Sequence, residues 1–148
     1  MTPISRRTAL LAVGATTLPR PARAAPRRAH LYKEPQCDCC ESYAEYLRRN
    51  GFEVVVTPTA ELDKMSLKAG IPAALQGCHL TMLDGYAVSG HVPIQAVRKL
   101  LVERPALAGI TLPGMPAGSP GMGGQKSAPF LVYAIAKDGS VPVSFAVL

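Results

Sequence analysis

The chain has no tryptophan, three phenylalanines and five tyrosines. It shows no internal repeat, so its 148 residues are read as room for one ordinary domain with a real core. Its one long uncharged N-terminal run, Thr8 to Leu18, is too short to cross a bilayer as a stable helix, which speaks against a membrane anchor. It also lacks a second separated Cys-x-x-Cys knuckle, the pattern most familiar from structural zinc modules. An excess of one charge is missing too, once the N-terminus is set aside. Residues 1–24 hold four arginines and no acids, so taking those four from 16 leaves 12 basic residues against 10 acidic ones, and the formal charge falls from +6 to +2. A nearly balanced chain offers no basic face for nucleic acid.

What the N-terminus does have is the layout of an export signal. Ser5-Arg6-Arg7 precedes the uncharged run, and Ala22-Arg23-Ala24 supplies small residues at the two positions a signal peptidase reads. Cleavage near Ala24 is expected, and with it a periplasmic address. The paired arginines resemble a twin-arginine signal without its usual Phe, so the twin-arginine and general secretory routes both stay open.

Cysteine is scarce but crowded. Cys37-Asp38-Cys39-Cys40 holds three of the four, and the fourth, Cys78, is followed directly by His79. Three thiols in four residues frustrate ordinary pairing, because disulfide geometry wants Cα atoms well apart. Thiolate sulfur instead selects Cu(I), zinc or iron-sulfur clusters, and a Cys-x-Cys-Cys run can offer several sulfurs to one metal.

The pattern predicts a disordered lead-in over 25–29 and a domain over 30–148. A short strand at His30 to Lys33 leads through Pro35 into the cysteines, and Tyr43, Tyr46 and Leu47 give Glu41 to Arg49 helical spacing, stopped at Asn50-Gly51. Phe52 to Thr57 reads as a buried strand and Glu61 to Ala69 as a second helix. Cys78 to Leu83 and Tyr86 to Ser89 form a hairpin at Asp84-Gly85. Pro93 opens a third helix striped by Ile94, Val97, Leu100 and Leu101 and ending near Glu103. A Gly, Pro and Met-rich loop follows, then a C-terminal hairpin of Phe130 to Ala136 and Val141 to Val147, with Pro142 placing the last run at a sheet edge or start.

The order β-α-β-α-β-β-α resembles the thioredoxin and glutaredoxin fold, an α/β mixed sheet with flanking helices. In that fold Cys-x-x-Cys opens the first helix, whose dipole and free N–H groups stabilise a thiolate. Cys37 and Cys40 hold those two positions. The place of the facing cis-proline is taken by Gly77 and Cys78, which would aim a fourth sulfur at the other three. Cys-x-Cys-Cys, Gly70-Ile71-Pro72, Cys78-His79, Gly90-His91-Val92-Pro93 and the segment from Pro113 to Met122 together resemble the signature blocks of the CopG-type family of bacterial periplasmic copper proteins. That resemblance, over about residues 30 to 133, implies a copper-resistance protein whose Cys37, Cys39, Cys40 and Cys78 hold Cu(I) and which interconverts copper oxidation states. It implies copper ions and other periplasmic copper-handling proteins as partners.

Other readings stand beside it. Four cysteines in an oxidising compartment can form two structural disulfides; zinc can take a sulfur site; and Cys37 with Cys40 can serve a thiol-disulfide oxidoreductase. An extra thiol at Cys39, a fourth in place of the cis-proline and the lack of a Trp beside the motif all depart from the thioredoxin pattern and favour metal. His79 follows Cys78 on a predicted strand, so its ring is expected on the opposite face from that sulfur. His91, before the Pro93 helix start, is read with His79 as a supporting residue, with direct metal binding by either as the alternative. Met65 and Met82 fall on core faces, whereas Met115 and Met122 are either soft transfer ligands for Cu(I) or gap-fillers of an ordered loop.

Overall fold

The computed structural model describes residues 25–148, and the export signal expected over 1–24 lies outside the described residues. Seven strands make one mixed sheet: β1 Arg27–Lys33, β2 Phe52–Pro58, β3 His79–Leu83, β4 Tyr86–Ser89, β5 Leu107–Thr111, β6 Leu131–Ala136 and β7 Val143–Val147. Three helices accompany them: α1 Asp38–Arg49, α2 Leu62–Lys68 and α3 Ile94–Glu103, with a single 3-10 turn at Ala73–Leu75. The spatial order is β2-β1-β3-β4-β5-β6-β7. Strands β1 and β2 run parallel through α1, as do β4 and β5 through α3; the remaining neighbours are antiparallel.

Successive strand residues face opposite sides of the sheet, and the core divides accordingly. One part joins Tyr43 and Leu47 of α1 and Val97 and Leu100 of α3 to Leu31, Val88, Ile110 and Val132. A smaller part, on the other side, packs Leu62 of α2 against Ile71, Leu80, Ala87 and Ile135. The cysteine run therefore sits at the top of the larger core, where β1 hands over to α1.

Several boundaries moved. β1 starts at Arg27, so most of the segment expected as a disordered lead-in is strand: Arg27, Arg28 and Ala29 pair with Phe52, Glu53 and Val54, Ala29 is fully buried, and Arg27 is bonded to Asp84 at 2.6 Å. α1 begins at Asp38 rather than Glu41, with Cys37 as its N-cap and acidic Asp38 and Glu41 in its first turn, where the helix dipole favours negative charge. Asp84 and Gly85 both have positive φ, 49° and 85°, as a primed hairpin turn requires.

β5 was not anticipated. Its sequence, Leu107-Ala-Gly-Ile-Thr111, has no clear alternation, and Gly109 at its middle reads as a breaker. That glycine is what permits the pairing, since a Cβ there would lie 1.9 Å from the Ala87 carbonyl oxygen. Through β5 the C-terminal hairpin finds its place, with β6 antiparallel to β5 and β7 at the sheet edge.

Candidate metal centre

Cys37, Cys39 and Cys40 project from the N-terminus of α1, and Cys78 comes from the bend immediately before β3. That bend is held by two bonds: the Gly77 N–H donates to Ser89 Oγ at 2.9 Å, and the Gly90 N–H donates to the His79 carbonyl at 3.1 Å. The four Sγ atoms all lie within 4.8 Å of one another. Cys37 Sγ is 3.4 Å from Cys39 Sγ, and Cys78 Sγ is 3.8 Å from Cys39 Sγ and 3.6 Å from Cys40 Sγ. Tetrahedral sulfur ligands about 2.3 Å from one ion are roughly 3.8 Å apart, so this spacing suits shared coordination.

Cys37 and Cys40 are joined by a disulfide, their Cα atoms 5.5 Å apart. Cys39 and Cys78 are free. The alternative of two structural disulfides is therefore met by one bridge and two thiols. The pair that bridges is the one at the positions flanking the first helical turn, where α1's unpaired N–H groups favour a thiolate once the bridge is reduced. Burial, and then the neighbouring Cys39, push the Cys78 thiol up to about 12, so in this bridged form it holds its proton.

Sequence reasoning missed the residue that shapes the cysteine loop. Lys33 is 4 % exposed, yet its ammonium donates to the carbonyls of Glu34, Pro35 and Cys37 at 3.4, 3.3 and 3.2 Å, and pairs with Glu41 at 3.3 Å. Its signal was present in the period-2 pattern: Ala29, Leu31 and Lys33 share the buried face of β1. A buried lysine with this many acceptors pins the turn that presents Cys37.

Behind Cys78 stands a second group of donors. His79 and His91 are both fully buried. Cys78 Sγ is 3.1 Å from His91 Nε2 and 3.5 Å from His79 Nδ1. His79 was expected on the face opposite that sulfur. It lies beside it because Cys78 belongs to the bend and not to β3, so strand alternation does not relate the two. His91 Nδ1 is 2.7 Å from the Pro120 carbonyl, an acceptor only, so the proton sits on Nδ1 and Nε2 presents its lone pair to the sulfur. Tyr43 completes the pocket, its ring centroid 4.4 Å from His79 and 5.5 Å from His91, its hydroxyl donating to the Val92 carbonyl at 2.9 Å. Burial, and then His91, press the His79 pKa down to about 3; burial also lowers that of His91, against the Pro120 carbonyl, which raises it.

The Gly, Pro and Met-rich loop supplies that carbonyl and lies directly on α1. At Gly121, φ is 83° and a Cβ would come 2.7 Å from Tyr43 N and 3.1 Å from Cys39 O, so no larger residue fits there unshifted. Of the two methionines expected near the site, Met115 is exposed and lines a cleft of about 520 Å³ that reaches Gly77 and Cys78. Met122 is half-buried, its N–H closing the loop onto the Ser119 carbonyl at 2.9 Å. A second cleft, of about 640 Å³, opens beside Cys37 and Cys78 and is bordered by Glu34, Gln36 and Asp63. Met65 and Met82 pack against the smaller core, as their predicted faces required.

The comparisons with known proteins fit this geometry. A family model described as a protein of unknown function, DUF411, matches residues 75–122, the stretch holding Cys78, His79, His91 and the methionine loop. No curated protein matches the chain. Two solved structures, of the copper resistance protein CopG in its Form 1 and its Form 2, are each 32% identical to it, with a TM-score of 0.76 over 83% of this chain and 98% of theirs. The chain belongs to the CopG-type family of copper resistance proteins.

Proposed function

We propose that this is a periplasmic copper-binding protein of copper resistance and homeostasis, exported by the signal in residues 1–24, that holds Cu(I) through Cys37, Cys39, Cys40 and Cys78. The observation that carries the reading is the convergence of four sulfurs, from two segments some forty residues apart in sequence, within 4.8 Å. Neutral Met115 and Met122 and buried His79 and His91 act as supporting or transfer groups around them. The β1-to-α3 part, with Cys37 and Cys40 at the first helix start and Cys78 facing them, is read as thioredoxin-like.

The Cys37–Cys40 bridge ties copper capture to redox state, because a thiolate site requires it to be open. It also supports a change of copper oxidation state with balanced electrons. The two thiols can give one electron each to two Cu(II) ions, leaving two Cu(I), one disulfide and two protons; reduction of the bridge by an external dithiol resets the pair.

The same bridge favours a second reading, a thiol-disulfide oxidoreductase acting on protein substrates through half-exposed Cys37. Metal analysis of the protein purified from the periplasm, followed by anaerobic Cu(I) titration of the reduced form against a competing chelator, separates the readings. Bound copper and tight Cu(I) uptake support the copper site; zinc as the purified metal supports a structural zinc module; a metal-free protein that reduces protein disulfides and takes up Cu(I) weakly supports the oxidoreductase.

A further inference from the structure

We propose that Cys78, His79 and His91 form a second metal site, of mixed sulfur and nitrogen donors, that binds one borderline divalent cation while the Cys37–Cys40 disulfide is closed. Their ligating atoms all lie within 4.8 Å of one another, a set distinct from the four sulfurs and joined to it only through Cys78. The assignment deepens the four-sulfur reading, since Cys78 serves both sets and the bridge decides which is complete.

Two observations carry it. The first is spacing: a sulfur about 2.3 Å and an imidazole nitrogen about 2.0 Å from one tetrahedral ion lie roughly 3.5 Å apart, and Cys78 Sγ stands 3.1 Å from His91 Nε2 and 3.5 Å from His79 Nδ1. The second is orientation. A metal-binding histidine characteristically donates its other ring N–H to a carbonyl or carboxylate, which fixes tautomer and ring plane. His91 does so to Pro120 at 2.7 Å.

Redox state separates the two sites. With Cys37 and Cys40 bridged, the quartet keeps only Cys39 and Cys78 as thiols, whereas Cys78, His79 and His91 are all available. Cys39 Sγ, 3.8 Å from Cys78 Sγ, is the other free thiol and can complete the shell. The incoming cation displaces the Cys78 proton to solvent, and the resulting thiolate with two imidazoles is a borderline donor set that suits divalent zinc, cobalt, nickel or copper better than it suits Cu(I), which the all-sulfur set favours. Closing the bridge thus exchanges a soft site for a harder one on the same sulfur.

The test uses Co(II), which reports its ligands optically and leaves thiols unoxidised. Full-length protein, with the bridge closed and two free thiols confirmed by counting, is titrated with Co(II) alone. The expected result is saturation at one equivalent with sulfur-to-cobalt charge-transfer absorption in the near ultraviolet. Cobalt-edge X-ray absorption of the same wild-type sample is expected to show imidazole and at least one sulfur. Cys78→Ser should remove the charge-transfer band, and His91→Gln should weaken binding by about tenfold or more, the least that losing a metal's partner group usually costs. Failure of bridged wild-type protein to bind Co(II) saturably overturns the proposal, as does a cobalt shell without imidazole. Either failure leaves the Cu(I) titration of the reduced protein unaffected, so the two sites stand or fall separately. The wild-type absorption data decide even if His91→Gln misfolds.

Discussion

The two sides of Cys78 differ in depth and in donor type. On one side Cys37, Cys39 and Cys78 are half-buried, and Cys37 and Cys78 border an open cleft of about 640 Å³. On the other, His79 and His91 are sealed from solvent under Tyr43 and the methionine loop. The sulfurs stand at the cleft, and the imidazoles stand enclosed. The sulfur side depends on a reversible covalent bond, Cys37 to Cys40, for its state. The imidazole side is held by the packing of Gly121 against α1 and by the His91 hydrogen bond to the Pro120 carbonyl. Solvent access and the disulfide thus fall to one face, and enclosed imidazoles to the other.

The largest effect that would break this division is at the shared atom. Cys78→Ser is expected to weaken Cu(I) binding to the reduced protein as severely as Cys37→Ser or Cys40→Ser. Loss of an outer-shell partner costs a metal site about 10 to 100-fold, and loss of a ligand should exceed that. Competition with a Cu(I) chelator measures it; an unchanged affinity in Cys78→Ser would remove Cys78 from the site.

Next in size is the response of metal-free protein to acid, which probes the buried side alone. His79 has a pKa of about 3 in the folded protein, below its ordinary value near 6.5, chiefly because burial opposes its charge. A depressed histidine pKa means that the unfolded chain takes up the proton first. Stability should therefore be full above about pH 6.5 and fall progressively as the pH drops toward 3. Denaturant titrations across that range should show the slope, and His79→Asn should flatten it. The same slope in His79→Asn would show that other groups set it.

Much of the sulfur side was legible in the sequence because its signals are local. Cys-x-Cys-Cys between an apolar strand and a helical stripe places three sulfurs at a helix start, and Asp84-Gly85 closes the hairpin that follows Cys78. The aim of Cys78 at the run followed from topology. What escaped were features fixed by tertiary contact. Lys33 was read as a strand residue without a role, although it shares the buried face with Ala29 and Leu31. His79 was placed on the wrong side because one residue separates a bend from a strand, and a shift of one inverts every orientation. β5 has no period-2 signal, since Gly109 interrupts an alternation that the strand does not need, its value lying in the close approach of Ala87. The bridging of Cys37 to Cys40 could not be read from spacing that also suits metal.

A smaller effect sharpens the comparison from the loop. Gly121→Ala places a Cβ 2.7 Å from Tyr43 N at a φ of 83°, and a non-glycine residue held there costs about 1–3 kcal/mol. Thermal or denaturant unfolding should report that loss. Because the strain displaces the neighbouring Pro120 carbonyl from His91, Co(II) binding to the bridged protein should weaken as well. Unchanged stability would show that the loop yields without cost and does not hold the imidazole side in place.

The smallest effect concerns Met115, on the rim of the cleft that reaches Cys78, together with Met122. Replacing both by Leu keeps approximate volume and polarity, at a packing cost of about 1.5 kcal/mol or less. The number of Cu(I) ions finally bound should stay the same while transfer from a donor chelator slows, since thioethers are soft, neutral and need no deprotonation. Stopped-flow transfer rates equal to wild type would return both methionines to gap-filling.

The most direct measurement is copper-edge X-ray absorption on the reduced, Cu(I)-loaded wild-type protein. Four converging sulfurs predict a Cu(I) edge with a first shell of sulfur alone at thiolate distance and no imidazole scattering. A first shell made of nitrogen, or one holding a single sulfur, would contradict the four-cysteine site.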